Sequence, residues 1–169
     1  LKDSWPLILN LVFVSIYMRI DQVMIKEIMN SNAVGQYSAA VSLSQAWYFI
    51  PTVIGSSLFP AIINAKKINK KLYYGRVQNL YDLMVLLAIS IALPLTFLSD
   101  LLVNLLFGIE FTETGSVLSV HIWAGVFVFL GVSGSKWTLN ENLQRYSSLC
   151  LFIGMLANII LNLVMIPKY

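Results

Sequence analysis

Charge is what this 169-residue chain has least of: 11% of its residues are Asp, Glu, Lys or Arg, against 58% hydrophobic. An average soluble domain is about 25% charged, so a water-facing surface around one compact core cannot be built from this composition. A single His, a single Cys and the lack of a Gly-rich phosphate loop exclude more. One His makes no metal pair, and no Ser, His and Asp set has a spacing that supports nucleophilic catalysis. No enzyme, metal site or cofactor is therefore expected. Cys150 lies in an apolar run without a disulfide partner and says nothing about redox compartment.

What is present is long apolar sequence, with a mean hydropathy of +0.77. No Asp, Glu, Lys or Arg occurs at 28–65, 83–99, 114–135 or 146–167. A helix needs roughly 20 mostly apolar residues to cross a hydrocarbon core about 30 Å thick. A membrane barrel would instead alternate polar and apolar residues over stretches of about ten. Leu101-Leu102-Val103 and Phe127-Val128-Phe129-Leu130 do not alternate. The expected fold class is all-α, a polytopic bundle of five transmembrane helices forming one membrane domain. The spans are expected at about 5–27, 34–62, 83–107, 115–135 and 146–167, with cytoplasmic loops at about 63–82 and 136–145.

Ser4 followed by Trp5-Pro6 marks the first start, because Pro is tolerated in the first helical turn. Pro51 and Pro60 each remove a backbone donor, so a bend is expected near Trp47 to Pro51. Lys2 and Asp3 precede a span too long for a cleavable signal. With no initiator Met and an end directly after Pro167-Lys168-Tyr169, the chain reads as a piece of a longer protein.

Lys and Arg in short loops orient such a bundle. If the first span enters from the cytoplasm, the inside segments hold Lys2, Lys66, Lys67, Lys70, Lys71, Arg76, Lys136 and Arg145, and the outside ones only Lys26 and Lys168. The basic segment 64–76 thus reads as a topology signal at an anionic leaflet, not as a nucleic-acid patch.

Arg19 and Asp21 are too polar for their position. A rise of 1.5 Å per residue sets Arg19 about 12 Å from the outer end of its span. Insertion there costs roughly 2.5 to 3.5 kcal/mol. On an unbroken helix Ser15, Arg19, Gln22 and Lys26 share a stripe about 60° wide, with Asn10, Tyr17 and Asp21 about 120° or more away. Two readings of Arg19 stay open: a pair with a carboxylate from another helix, or an aqueous cavity in which the stripe meets an anionic substrate. Ser38, Ser42 and Gln45 share a face of the second span, where small residues suit close helix packing. Gln45, near the Pro51 bend, is the exception proposed for ligand contact. Gly154, Asn158 and Asn162 share a face suited to interhelical hydrogen bonds. His121 reads as a structural residue near an interface, and Trp5, Trp47, Trp123 and Trp137 fall toward span ends like an aromatic belt.

Set side by side, several stretches carry a resemblance. They are Tyr17-Met18-Arg19-Ile20-Asp21-Gln22-Val23-Met24, Val34-Gly35-Gln36-Tyr37-Ser38-Ala39-Ala40, Ala46-Trp47-Tyr48-Phe49-Ile50-Pro51, Ser57-Leu58-Phe59-Pro60-Ala61, Leu105-Leu106-Phe107-Gly108 and Ser135-Lys136-Trp137, with Asn158 through Tyr169. The chain resembles the polysaccharide and oligosaccharide-lipid flippases of the multidrug/oligosaccharidyl-lipid/polysaccharide exporter superfamily, especially bacterial O-antigen or capsule repeat-unit translocases. Members have about twelve to fourteen helices in two lobes around a cavity, and this chain would correspond to about the seventh to eleventh.

The resemblance implies alternating access about a midplane site in the bacterial inner membrane, with an undecaprenyl-diphosphate-linked oligosaccharide as substrate. Membrane lipids and other polysaccharide assembly proteins are the implied partners. Arg19 and Lys26 would meet diphosphate or acidic sugar oxygens, Gln22 and Gln45 sugar hydroxyls, Asp21 would border the cavity, and the Pro51 bend would serve gating. Three alternatives remain: a cation-coupled drug exporter of the same superfamily, a membrane-embedded glycan polymerase or ligase, and a scaffold subunit that seals Arg19 in protein. An acidic cavity would favour the exporter and a large outer loop the polymerase; here the central charge is Arg19 and the longest outer loop is about 108–114.

Overall fold

A computed structural model describes residues 5–168; the Ser4 start signal, Lys2 and Tyr169 lie outside the described residues. The elements run α1 (Trp5–Tyr17), α2 (Ile20–Ile28), α3 (Ser31–Gln45), α4 (Phe49–Ile68), α5 (Lys70–Phe107), α6 (Thr114–His121), α7 (Ala124–Asn140) and α8 (Gln144–Met165), closed by a 3-10 turn at Ile166–Lys168. Among the described residues there is no strand. Among the described residues five stretches are long and apolar enough to cross a membrane: Ile8–Ile28, Ser31–Ile68, Lys70–Phe107, Thr114–Asn140 and Gln144–Lys168.

Segment 63–82, expected as a loop, is helical except at Asn69. Asn69 is extended, and its Oδ1 accepts from Leu72 N at 2.7 Å, capping α5. Lys and Leu around it are good helix formers, so loss of apolarity ends the membrane stretch without ending the helix. At 38 residues α5 is about 57 Å long, well beyond a hydrocarbon core. Gly108 at φ 86° stops it, in a region where an L side chain is strained.

Three of the five stretches are interrupted inside. In the first, Met18 N still bonds Val14 O, but Arg19 N turns to Ile16 O at 3.0 Å, an i−3 bond that tightens the backbone between α1 and α2. No Pro or Gly is present. Ser15 Oγ donates to Leu11 O at 2.7 Å just before the break, a back-bond that bends helices. The second interruption has a plain cause. Pro51 has no N–H for Trp47 O, and Ile50 N takes that carbonyl at 3.1 Å while Tyr48 N takes Gln45 O at 3.0 Å. The helix is broken at 46–48 and resumes with Pro51 in its first turn, whereas Pro60 and Pro94 sit inside unbroken helices. The third break separates α6 from α7 at Ile122 and Trp123; the His121 carbonyl freed there accepts from Ser44 Oγ at 3.5 Å.

The chain divides into two compact units, Leu1–Ser38 with Glu141–Tyr169, and Ala39–Asn140. In the first, α1 lies along α8, with the Phe13 and Phe152 rings 5.3 Å apart at 52°. Ile25 and Met155 are its buried apolar residues among those described. Asn158 and Asn162, expected to bond between helices, instead bond along α8: Asn162 Nδ2 donates to Asn158 Oδ1 at 3.3 Å. An i, i+4 spacing brings two side chains of one helix together as readily as it aims both at a neighbour.

The second unit holds two clusters. Ile62, Ala65, Tyr73, Leu80, Met84, Ala88 and Phe129 form one across α4, α5 and α7. Ala40, Ala92, Val103, Leu118 and Ile122 form the other. Small residues on α5 let backbones approach, which drives helix association where lipid is as apolar as the core. Gly115 marks the tightest approach, since a Cβ there would collide with the Asp100 side chain. Trp123 Nε1 donates to Thr96 Oγ1 at 3.0 Å, tying the third break to α5.

Candidate functional site

Arg19 sits at the break, as the residue that precedes α2, with φ −123° and ψ −21°. It is exposed and forms no hydrogen bond or ion pair through its side chain with another described residue. Ser15 and Lys26 are exposed as well, and Gln22 is half-buried. The expected stripe assumed one unbroken helix; the break falls between Ser15 and Gln22, and exposure on the first span is shared by Ser15, Arg19 and Lys26 only. A guanidinium has five N–H donors in a planar fork and always carries its charge. The Arg19 backbone directly precedes the first turn of a helix whose N–H groups carry partial positive charge.

Asp21, two residues on, has a different environment. Its Oδ2 accepts from Tyr37 Oη at 2.8 Å, and its Oδ1 is buried without a hydrogen-bond partner. Asn10 Oδ1 is buried in the same condition. The first span therefore presents two chemistries: cationic and exposed at Arg19 and Lys26, acceptor-rich and enclosed at Asn10 and Asp21. Asp21 does not pair with Arg19.

The Tyr37 partner was not anticipated from sequence, because a contact between α2 and α3 across the Asn30 turn leaves no trace in either helix's periodicity. The only signal was a phenol among small residues in a membrane stretch, where a buried hydroxyl needs a partner. Tyr37→Phe should leave the whole Asp21 carboxyl without a protein donor, at a cost of about 1 to 3 kcal/mol. A lowered melting temperature of the full-length protein, restored by Tyr37→Phe combined with Asp21→Leu, is the expected outcome.

Gln45 and Pro51 belong to the second unit. Gln45 closes α3 half-buried, with its carbonyl engaged by Tyr48 N, and its side chain makes no hydrogen bond with another described residue. Pro51 is buried at the start of α4. Among the described residues no three His, Cys, Asp or Glu side chains gather as a metal site requires.

Residues 1–66, which carry Arg19, Asp21, Gln22, Lys26, Gln45 and Pro51, match the family model described as polysaccharide biosynthesis protein. A curated relative from Shigella dysenteriae, described as "Putative O-antigen transporter", is 22% identical over 139 residues, covering 82% of this chain and 34% of its own length. The chain thus spans about a third of the length of that relative. No solved structure matches it. Five stretches long and apolar enough to cross a membrane indicate a multi-pass membrane protein, similar over the matched residues to polysaccharide biosynthesis and O-antigen transporter proteins.

Proposed function

We propose that this chain is part of a flippase that moves undecaprenyl-diphosphate-linked glycan repeat units across the bacterial inner membrane by alternating access. One observation carries the reading: an exposed Arg19 without a partner among the described residues, set at a helix break inside a membrane stretch. An intramembrane cation of that kind faces water, a ligand or a partner supplied by the rest of the protein. Broken helices in transporters mark midplane sites, where freed backbone groups and helix ends meet the substrate.

Arg19 and Lys26 bind diphosphate or acidic sugar oxygens through charge-assisted hydrogen bonds. Gln22 and Gln45 serve sugar hydroxyls. Asp21, held by Tyr37, fixes α2 so that Arg19 is presented. The break before Pro51 gives the second stretch a point of movement between inward and outward states. Lys66, Lys67, Lys70, Lys71, Arg76, Lys136 and Arg145 lie on the cytoplasmic side, where loading with a carrier-linked glycan begins, and other polysaccharide assembly proteins act before and after the transfer. The test is complementation. In a strain lacking its repeat-unit flippase, the full-length protein should restore surface glycan and clear the undecaprenyl-linked repeat units that accumulate inside. Expression without either change would contradict the proposal.

A further inference from the structure

A small pocket in the second unit carries a charge that transport through the Arg19 region does not use. Phe59, Tyr73, Trp137 and Asn140 line it with Lys136, between α4, α5 and α7. Lys136 is half-buried. Its Nζ donates to Ser56 Oγ at 3.3 Å and stands 5.6 Å from the centre of the Phe59 ring. Hydroxyl and ring fix the ammonium in place but do not neutralise it, and no carboxylate pairs with it among the described residues. An ammonium has three N–H donors, of which Ser56 takes one. A partly desolvated cation is disfavoured unless an anion completes its surroundings.

The neighbouring surface has the same sign. Lys66 Nζ donates to Asn140 O at 3.2 Å and lies 5.5 Å from the centre of the Tyr73 ring, which sets a second ammonium at the α7 end of the pocket. Asn140 Nδ2 in turn donates to Tyr73 Oη at 2.9 Å. Lys67, Lys70, Lys71 and Arg76 follow along the α4 and α5 junction, and no Asp or Glu occurs at 28–81. Arg76 is also held in position, its Nη1 donating to Ala61 O at 2.6 Å. Orienting a membrane protein needs only loop charge. It does not need a lysine on a different helix, held halfway inside a pocket by a serine and a phenylalanine.

We propose that the open mouth of this pocket, whose interior of about 10 Å³ admits no more than one water, binds the phosphodiester of an anionic phospholipid. Lys136 supplies the charge-assisted bond to phosphate, Lys66 adds field, and Phe59 and Trp137 form an apolar wall for the glycerol and the first acyl carbons. Basic pockets between transmembrane helices are suited to such headgroups. The apolar wall favours a lipid over free phosphate. The inference stands apart from the Arg19 reading, since it uses none of the residues proposed to meet the glycan, Arg19, Gln22, Lys26 and Gln45.

The test uses the full-length protein in detergent, offered phosphatidylglycerol or phosphatidylcholine, with retained lipid counted by native mass spectrometry. Phosphatidylglycerol should be retained about fivefold better, the effect of one surface-near lysine. Lys136→Gln should remove that preference at an unchanged melting temperature, and Lys136→Arg should keep it. Excess inorganic phosphate should leave the bound phosphatidylglycerol in place. Equal retention of the two lipids by the unmodified protein would overturn the proposal whatever the variants do. An unchanged preference in Lys136→Gln would also overturn it, as would displacement of the lipid by inorganic phosphate, which would mark a site for a free anion.

Discussion

Arg19→Ala in the full-length protein should abolish surface glycan while leaving the protein at its normal level in the membrane. Both halves follow from the surroundings of this residue. Two charge-assisted bonds from a guanidinium to a diphosphate, at about 1.5 to 3 kcal/mol each, put the loss at about two to four orders of magnitude in affinity. The expected constancy of protein level has a separate basis. Arg19 is exposed and has no described partner, so its removal strands no buried carboxylate. It also relieves roughly 2.5 to 3.5 kcal/mol of insertion cost. Breaking a buried ion pair would act in the opposite direction, destabilising by about 3 to 5 kcal/mol and lowering the amount of protein. Arg19→Lys keeps the charge and loses the two-pronged fork, and should give partial export. Normal glycan in Arg19→Ala would remove the residue from the transport path, and loss of the protein would assign it a structural pair instead.

The second large effect is on stability. Phe129→Ala should lower the melting temperature and yield of the full-length protein, at a cost of about 3 kcal/mol. Phe129 is 2% exposed within the cluster that joins α4, α5 and α7. In water a Phe to Ala change in a core costs about 3 to 5 kcal/mol, part of it transfer from water and part the cavity left behind. Between membrane helices the transfer part shrinks, because lipid is about as apolar as the core. The cavity part remains, so the low end of the range applies. Phe127, two residues earlier on the same helix, is 76% exposed and provides the control: Phe127→Ala should leave the melting temperature nearly unchanged. Equal effects at 127 and 129 would mean that α7 does not pack through the face described.

These two cases mark what the sequence revealed. Four of the five apolar stretches could be read from gaps in charge, because a bilayer penalises every ion in its interior, and the first from its apolar run in spite of Arg19 and Asp21. The interruption before Pro51 could be read from one missing N–H. The break at Met18 and Arg19 could not, since neither residue disfavours helix and the Ser15 back-bond depends on a rotamer choice. That segment 63–82 is helical was hidden for a related reason: apolarity reports where lipid ends, and the helix continues beyond it through residues that are good helix formers in water. Asp21 shows the same limit at the candidate site. Its separation from Arg19 was visible in helical geometry, but its bond to Tyr37 joins residues 16 positions apart across a turn. A single sequence contains no period for that contact.

Whether Arg19 meets water decides between a transport path and a sealed ion pair, and thiol labelling measures it directly. Cys150 is exposed and must be removed first. In the full-length protein carrying Arg19→Cys and Cys150→Ser, a membrane-impermeant thiol reagent should label position 19, and lipid-linked glycan should slow the labelling. No labelling at position 19 in any transport state would contradict the cavity and leave Arg19 enclosed by protein.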